Sequence, residues 1–191
     1  MSGRPIHIEI PFASEDVIRS LRAGDPVLLS GTMYTARDAA HKRLIEALER
    51  GDELPIPIAR QVIYYVGPTP ARPGEVIGAA GPTTAYRMDL YSPPLIERGL
   101  GAMIGKGWRG PEVRECIARH ACVYMAAIGG AAAVLAQRIT AAEVVAYDDL
   151  GAEAVRKLTV EDFPVIVIND TQGVDFYEVA QAPWRKAGTT E

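Results

Sequence analysis

Cysteine is scarce in this chain: Cys116 and Cys122 are the only two among 191 residues. Two thiols exclude a disulfide framework of the kind that staples small secreted domains. An iron–sulfur cubane held by protein thiolates needs about three or four of them, so this chain cannot supply a full ligand set. The plain reading is two buried thiols behaving as small hydrophobes. His7, His41 and His120 are scattered without metal-ligand spacing, and no metal site is expected on this chain. Excess positive charge is also missing. The formal net charge is −4 and the pI near 5.5, which argues against a general nucleic-acid or membrane-surface binder, since either needs a basic face. Long apolar runs are missing too. The weakly polar stretch 121–137 is mostly Ala and Gly and is split by Gly129-Gly130, short of the roughly 20 residues that span a bilayer. The opening MSGRPIHIEIPF has no apolar h-region, so a cytoplasmic location is expected. Neither the Walker A pattern nor the dinucleotide fingerprint G-x-G-x-x-G is present.

What is present is enough apolar material, 48% of residues, for one sizeable core. A single domain over 1–191 is expected, with 1–5 and 181–191 as loose tails. IHIEI alternates as a strand, SEDVIRSLRAG reads as helical, and VLLS reads as a buried strand ending at Gly31. Thr35 then suits a helix N-cap, with Asp38 three residues on in a variant capping box. The helix that follows places Ala40, Leu44, Ala47 and Leu48 on one face and stops at Gly51. Residues 52–60 read as Pro-broken loop, QVIYYVG as a strand and EVIGAAG as strand-like. Pro93-Pro94 interrupts or restarts a helix, AMIG is a short strand, and Pro111 opens a helix to about His120. CVYMAAIG, EVVAY and PVIVIND read as strands, GGAAAVLAQRI as a glycine-led helix, and AVRKLTV as extended or mixed. The tail after Tyr177 is expected to be irregular. Strands alternating with helices favour a layered α/β domain.

Two stretches share one grammar. In SGTMYTARDAAHKR and GPTTAYRMD, small residues and hydroxyls lead into a helix start that carries an arginine. A helix N-terminus exposes unpaired N–H groups and partial positive charge, and a guanidinium adds a planar fork that fits a carboxylate. Arg37 and His41 would share one helix face. Thr83 or Thr84 would cap the second helix, and Thr83 and Arg87, four apart, would converge on one ligand. The plain alternatives are a surface arginine paired with Asp38 or Glu46 and an ordinary capped helix. Both stretches follow strands, where ligands gather in α/β sheets, and two arginines suit a small dicarboxylate. In MIGKGWRG, Lys106 stands between glycines and can approach a ligand closely, or else lies on a flexible turn. Gly129-Gly130, before a fourth helix start, could bind an anion or allow close helix–strand packing, and packing is the favoured reading. No Ser-His-Asp order is evident.

Taken in order, SGTMYTARDAAHKR, GPTTAYRMD, MIGKG, GGAAAVLAQ and KLTVEDFPVIVINDTQG resemble the β region of the iron–sulfur hydro-lyases, the family of class I fumarases and L-tartrate dehydratases. The resemblance covers about residues 5–180. It implies a swivelling β/β/α fold that closes over an α region, which binds a [4Fe-4S] cluster through three cysteines. Because this chain has no such region, it resembles a separate β subunit in a hetero-oligomer with a cluster-bearing α subunit. By position, Arg37, Arg87 and Lys106 resemble the family's substrate-binding residues and Thr83 its catalytic base or relay. Asp38, His41 and Thr84 are carried as supporting residues. The resemblance is nearer to fumarases than to tartrate dehydratases and implies a small dicarboxylate substrate, fumarate or L-malate. The same chemistry on L-tartrate, and a non-catalytic carboxylate-binding or assembly module, are the rival readings.

Overall fold

The structure, a computed structural model, describes residues 4–128 and 130–184. In chain order its elements are β1 (Ile6–Ile10), α1 (Glu15–Ser20), β2 (Pro26–Thr35), α2 (Asp38–Arg50), β3 (Val62–Tyr64), a 3-10 turn (Ala85–Met88) and α3 (Ser92–Ile96). Then come β4 (Ala102–Gly105), α4 (Pro111–Arg119), β5 (Val123–Ala126), α5 (Ala132–Ala136), β6 (Ile139–Ala146), a 3-10 segment (Asp148–Glu153), β7 (Val155–Asn169) and α6 (Phe176–Gln181). A last 3-10 turn covers Ala182–Trp184.

The strands form one mixed sheet in the order β1-β2-β3-β4-β5-β7-β6, and β2 pairs again with β7. That second pairing closes β2, β3, β4, β5 and β7 into a five-stranded barrel, with β1 and β6 attached outside it. The layered sheet expected from the alternation of elements therefore curls shut. Gly31 is the local reason. At φ +117° it adopts a conformation that L side chains rarely take, and a Cβ there would lie 2.1 Å from the Ile10 carbonyl oxygen. The pairing of β2 with β7 shifts register between Leu29 and Gly31. Before the bend β2 pairs in parallel with β1; after it, Tyr34 and Thr35 pair with Ile63 and Tyr64 of β3. The strand expected to end at Gly31 instead bends there and continues to Thr35.

Two cores follow from strand alternation. Val62 and Tyr64 face the barrel interior beside Leu29, Ile104, Met125 and Phe163. Ile63 and Tyr65 face outward with Met103 and Tyr124, where α2, α3 and α4 cover them through residues such as Leu44, Leu95 and Ile117. Fully burying such a side chain stabilises the fold by about 1.5–3 kcal/mol. Ile18 and Leu21 near α1 and Leu135 of α5 join the interior core. All the parallel neighbours β3, β4 and β5 end on the same side, and the loops after β2, β3 and β4 carry the residues singled out from the sequence.

Several local expectations change. EVIGAAG is not a strand but part of a tight loop in which Thr69 and Ala79 bond to each other. A Cβ at Gly78 would sit 2.3 Å from the Thr69 carbonyl oxygen, so the loop closes on glycine. AVRKLTV and PVIVIND are one strand, β7, of 15 residues. The glycine-led helix is short, Ala132–Ala136, and Gly129 lies outside the described residues. Residues after Tyr177 continue as helix and 3-10 turn to Trp184. No helix among the described residues is long and apolar enough to cross a membrane.

Candidate functional site

Arg37 itself, not Thr35, is the N-cap of α2. Thr35 is the last residue of β2, and its hydroxyl is taken up across the barrel: it donates to the Ala154 carbonyl (3.3 Å) and accepts from the Arg156 N–H (2.9 Å). The capping role falls to Glu153, 114 residues away, whose Oε2 accepts from the Ala39 N–H at 2.9 Å. Its other oxygen lies 3.3 Å from Arg37 Nη2. The Arg37 side chain runs over Gly67, where a Cβ would come within 2.7 Å of Nη1. Its Nε is buried without a hydrogen-bond partner among the described residues.

The second stretch is less helical than expected. The 3-10 turn starts only at Ala85, after Thr84, whose side chain makes no capping bond. Thr83 lies ahead of the turn in extended chain. Its N–H donates to the Tyr65 carbonyl (2.7 Å), its carbonyl accepts from Lys106 N–H (3.1 Å), and Ala85 N–H donates to the Lys106 carbonyl (2.8 Å). Thr84 and Lys106 form a parallel bridge. Thr83 and Lys106 are thus neighbours through the backbone, which their sequence separation does not reveal. Gly105 permits this approach, since a Cβ there would meet Tyr65, Ala85 and the Thr83 carbonyl at 3.0–3.2 Å. Lys106 is exposed.

Arg87 reaches back to α2. Its Nε lies 2.8 Å from Asp38 Oδ1, while Asp38 Oδ2 lies 3.6 Å from Arg37 Nη2. The two arginines, each read separately from the sequence, therefore converge on one carboxylate. Both stay partly open to solvent, at 21% and 43% side-chain exposure, so a ligand carboxylate could find the same donors.

His41 was expected on the ligand face beside Arg37, but it is fully buried beneath it. Its Nδ1–H donates to the Arg37 carbonyl (2.9 Å), and its ring packs edge-on against Tyr65 at 5.2 Å. Burial pulls its pKa down to about 4, opposed by the Arg37 carbonyl bond. It is neutral near pH 7 and supports the start of α2 instead of contacting a ligand.

The cysteines are both buried and free. Burial pushes both thiols up, which disfavours the thiolate that iron needs. Two such groups do not fit an iron–sulfur cluster on this chain. Glu97, Cys116 and His120 gather with ligand atoms within 4.8 Å of one another, a grouping that tertiary packing of α3 on α4 creates.

Three residues absent from the sequence reading prove structurally central. Glu153 gives no sequence signal, because only the fold brings it to α2. Asp89 and Arg109 stand inside the stretches GPTTAYRMD and MIGKGWRG, and they pair at 2.7 Å, the Arg109 side chain fully buried and Asp89 partly exposed. Of the two residues just before Arg87, Ala85 is buried in the core, whereas Tyr86 is 64% exposed. Two grooves of about 440 and 390 Å³, lined by the 68–79 loop with α5 or β6, contain none of these residues.

Residues 3–180 match the family model described as Fumarase C-terminus. The chain is 45% identical over 182 residues to the anaerobic class I fumarate hydratase of Escherichia coli strain K12, covering 92% of this chain and 33% of that protein. It is 40% identical over 157 residues to fumarate hydratase 2 of Leishmania major, covering 81% and 28%. It is 37% identical over 167 residues to a putative L(+)-tartrate dehydratase subunit beta of Methanocaldococcus jannaschii, covering 84% and 86%. The chain spans about a third of the length of the curated fumarate hydratases it matches, but most of the length of that beta subunit.

Proposed function

Because the chain belongs to the Fumarase C-terminus family, we propose that it is the β subunit of a two-subunit [4Fe-4S] class I fumarate hydratase, which interconverts fumarate and L-malate. The observation that carries the reading is the convergence of Arg37 and Arg87 on Asp38, beside the backbone pairing of Thr83 with Lys106. The two-subunit form is taken from the likeness to a putative L(+)-tartrate dehydratase subunit beta. In this reading the cluster belongs to the α subunit, consistent with the poor fit of the two buried cysteines, and the chain closes over that partner as a swivelling β/β/α domain.

What this chain's own residues would do follows from their chemistry. Arg37 and Arg87 bind the substrate carboxylates through charge-assisted hydrogen bonds, taking over the donors now turned toward Asp38. Lys106 adds a positive charge close to the extended segment that carries Thr83. Negative charge that builds on a carboxylate as the C3–H bond of malate breaks is stabilised by fixed donors of this kind. Thr83 accepts the C3 proton, and a carboxylate from the partner activates it, since a threonine hydroxyl alone is a weak base. Asp38 and Glu153 hold the two arginines in place before substrate arrives.

The test is reconstitution. The chain produced alone should contain no iron and show no hydratase activity; with its α subunit, prepared without oxygen, it should hydrate fumarate. Arg87→Ala should assemble normally yet lower kcat/KM by about 30- to 1,000-fold, the equivalent of roughly 2–4 kcal/mol of lost charge-assisted bonding. A cluster and full activity in the isolated chain would refute the proposal, as would wild-type kcat/KM in Arg87→Ala.

A further inference from the structure

We infer that Arg109 is a positioning residue that holds the turn bearing Arg87, the loop bearing Lys106 and the helix start bearing Arg37 in one fixed arrangement. This rests on the proposed carboxylate site and names what sets its geometry.

The Arg109 side chain has no solvent exposure, so it cannot touch substrate. Its Nε donates to Asp89 Oδ1 (2.7 Å), its Nη2 to Ser92 Oγ (2.6 Å) and its Nη1 to the Tyr65 hydroxyl (3.2 Å). The guanidinium also lies between the rings of Tyr65 and Tyr124, 5.6 and 5.2 Å from their centroids. Two of these partners lead to the turn bearing Arg87 and the third to the start of α2. Asp89 follows Arg87 by two residues, and its second oxygen accepts from the Gly110 N–H at 2.6 Å. Ser92 donates onward to the Met88 carbonyl (2.8 Å), fixing the end of the same turn. Tyr65 carries the edge of His41, whose ring holds the Arg37 carbonyl. Lys106 lies three residues before Arg109 on the loop, and Tyr124 pins that loop by donating to the Gly107 carbonyl at 2.9 Å.

An ion pair with a desolvated guanidinium contributes little net stability compared with well-packed apolar residues. What this one supplies is a planar fork that meets three oxygen acceptors at once. A lysine, with one compact ammonium, cannot span Asp89, Ser92 and Tyr65 together. Loosening the fork should therefore let the turn and the loop drift apart while the barrel stays intact.

The test uses this chain with its α subunit and compares Arg109→Lys and Asp89→Asn with Val165→Ala, a barrel-interior control that lowers stability without touching the network. Arg109→Lys and Asp89→Asn should raise KM for L-malate by at least about tenfold while kcat falls less than about threefold, and Val165→Ala should keep the wild-type KM. Hydrogen exchange on the chain alone should show amides of 84–90 and 106–110 exchanging together at least about tenfold faster in Arg109→Lys, with β3 and β5 unchanged. If Arg109→Lys does not fold, the near-isosteric Asp89→Asn carries both measurements. Wild-type KM in the network variants, or an equal rise in Val165→Ala, would overturn the inference, as would unchanged exchange in either segment. A wild-type preparation without hydratase activity would instead sink the functional reading, and exchange alone would then decide whether Arg109 couples the two segments.

Discussion

Acid should weaken this fold in a way traceable to one side chain. His41 is buried, its Nδ1–H is committed to the Arg37 carbonyl, and its Nε2 has no hydrogen-bond partner among the described residues. Burial lowers its pKa from 6.5 to about 4. Between those values the unfolded chain binds a proton at this position and the folded chain does not, so stability rises with pH across the window and levels off above it. A shift of about 2.5 units corresponds to about 3 kcal/mol when fully expressed, and to about 2 kcal/mol at about pH 5, where the folded ring is still mostly neutral. Urea unfolding of the wild type and of His41→Gln at about pH 7.5 and about pH 5 isolates the effect, because other titrating groups cancel in the difference. The wild type should lose about 2 kcal/mol more than the variant between the two conditions. Equal losses would show that His41 titrates normally in the folded chain and would refute its assignment as a buried neutral support.

Gly67→Ala should test the place of Arg37 in the site. The new Cβ would meet the Arg37 guanidinium, 2.7 Å from Nη1, and lie 3.3 Å from the Ala152 carbonyl oxygen, so Arg37 must shift from its place beside Glu153; unfolding free energy should fall by about 1–2 kcal/mol while KM for malate rises by about tenfold, and an unchanged KM would remove Arg37 from the carboxylate site. Thr83→Ala in the reconstituted enzyme should lower kcat by about 100-fold with KM within about threefold of wild type, and near-normal kcat would transfer the base role to Lys106 or the partner. For substrate choice, kcat/KM for L-malate or fumarate should exceed that for L-tartrate by at least about tenfold, because a wall built around bare C3–H leaves the second hydroxyl of tartrate unpaired at a cost of about 1–3 kcal/mol. Of Ala85 and Tyr86, the two residues just before Arg87, only Tyr86 has an exposed side chain that could form such a wall, since Ala85 is buried. A higher value for L-tartrate would reassign the substrate within the same family.

Composition, periodicity and ordered motifs were enough to read the alternation of elements, the burial of both cysteines, the apolar face of α2 and the arginine-bearing segments at Arg37 and Arg87. These are local properties: helix periodicity, proline at a first turn and glycine at Gly51 act over a few residues and leave direct traces in the chain. The closed barrel was not legible. It depends on Gly31 letting one strand change neighbours, and on β7 pairing across more than 100 residues of chain. Nor were the residues that build the site around the arginines. Glu153 caps α2 from 114 positions away, and Arg109 ties the neighbouring Asp89 and Ser92 to Tyr65, joining three separate parts of the sequence. Which helix start receives a side-chain cap, which histidine loses its water, and which carboxylate two arginines share are all set by what packs beside them. Thr35 could satisfy a helix N-terminus as well as it satisfies Ala154 and Arg156. Local propensity leaves both arrangements open, and only closure of the barrel, which carries β7 alongside β2, commits that hydroxyl and leaves the head of α2 to Glu153.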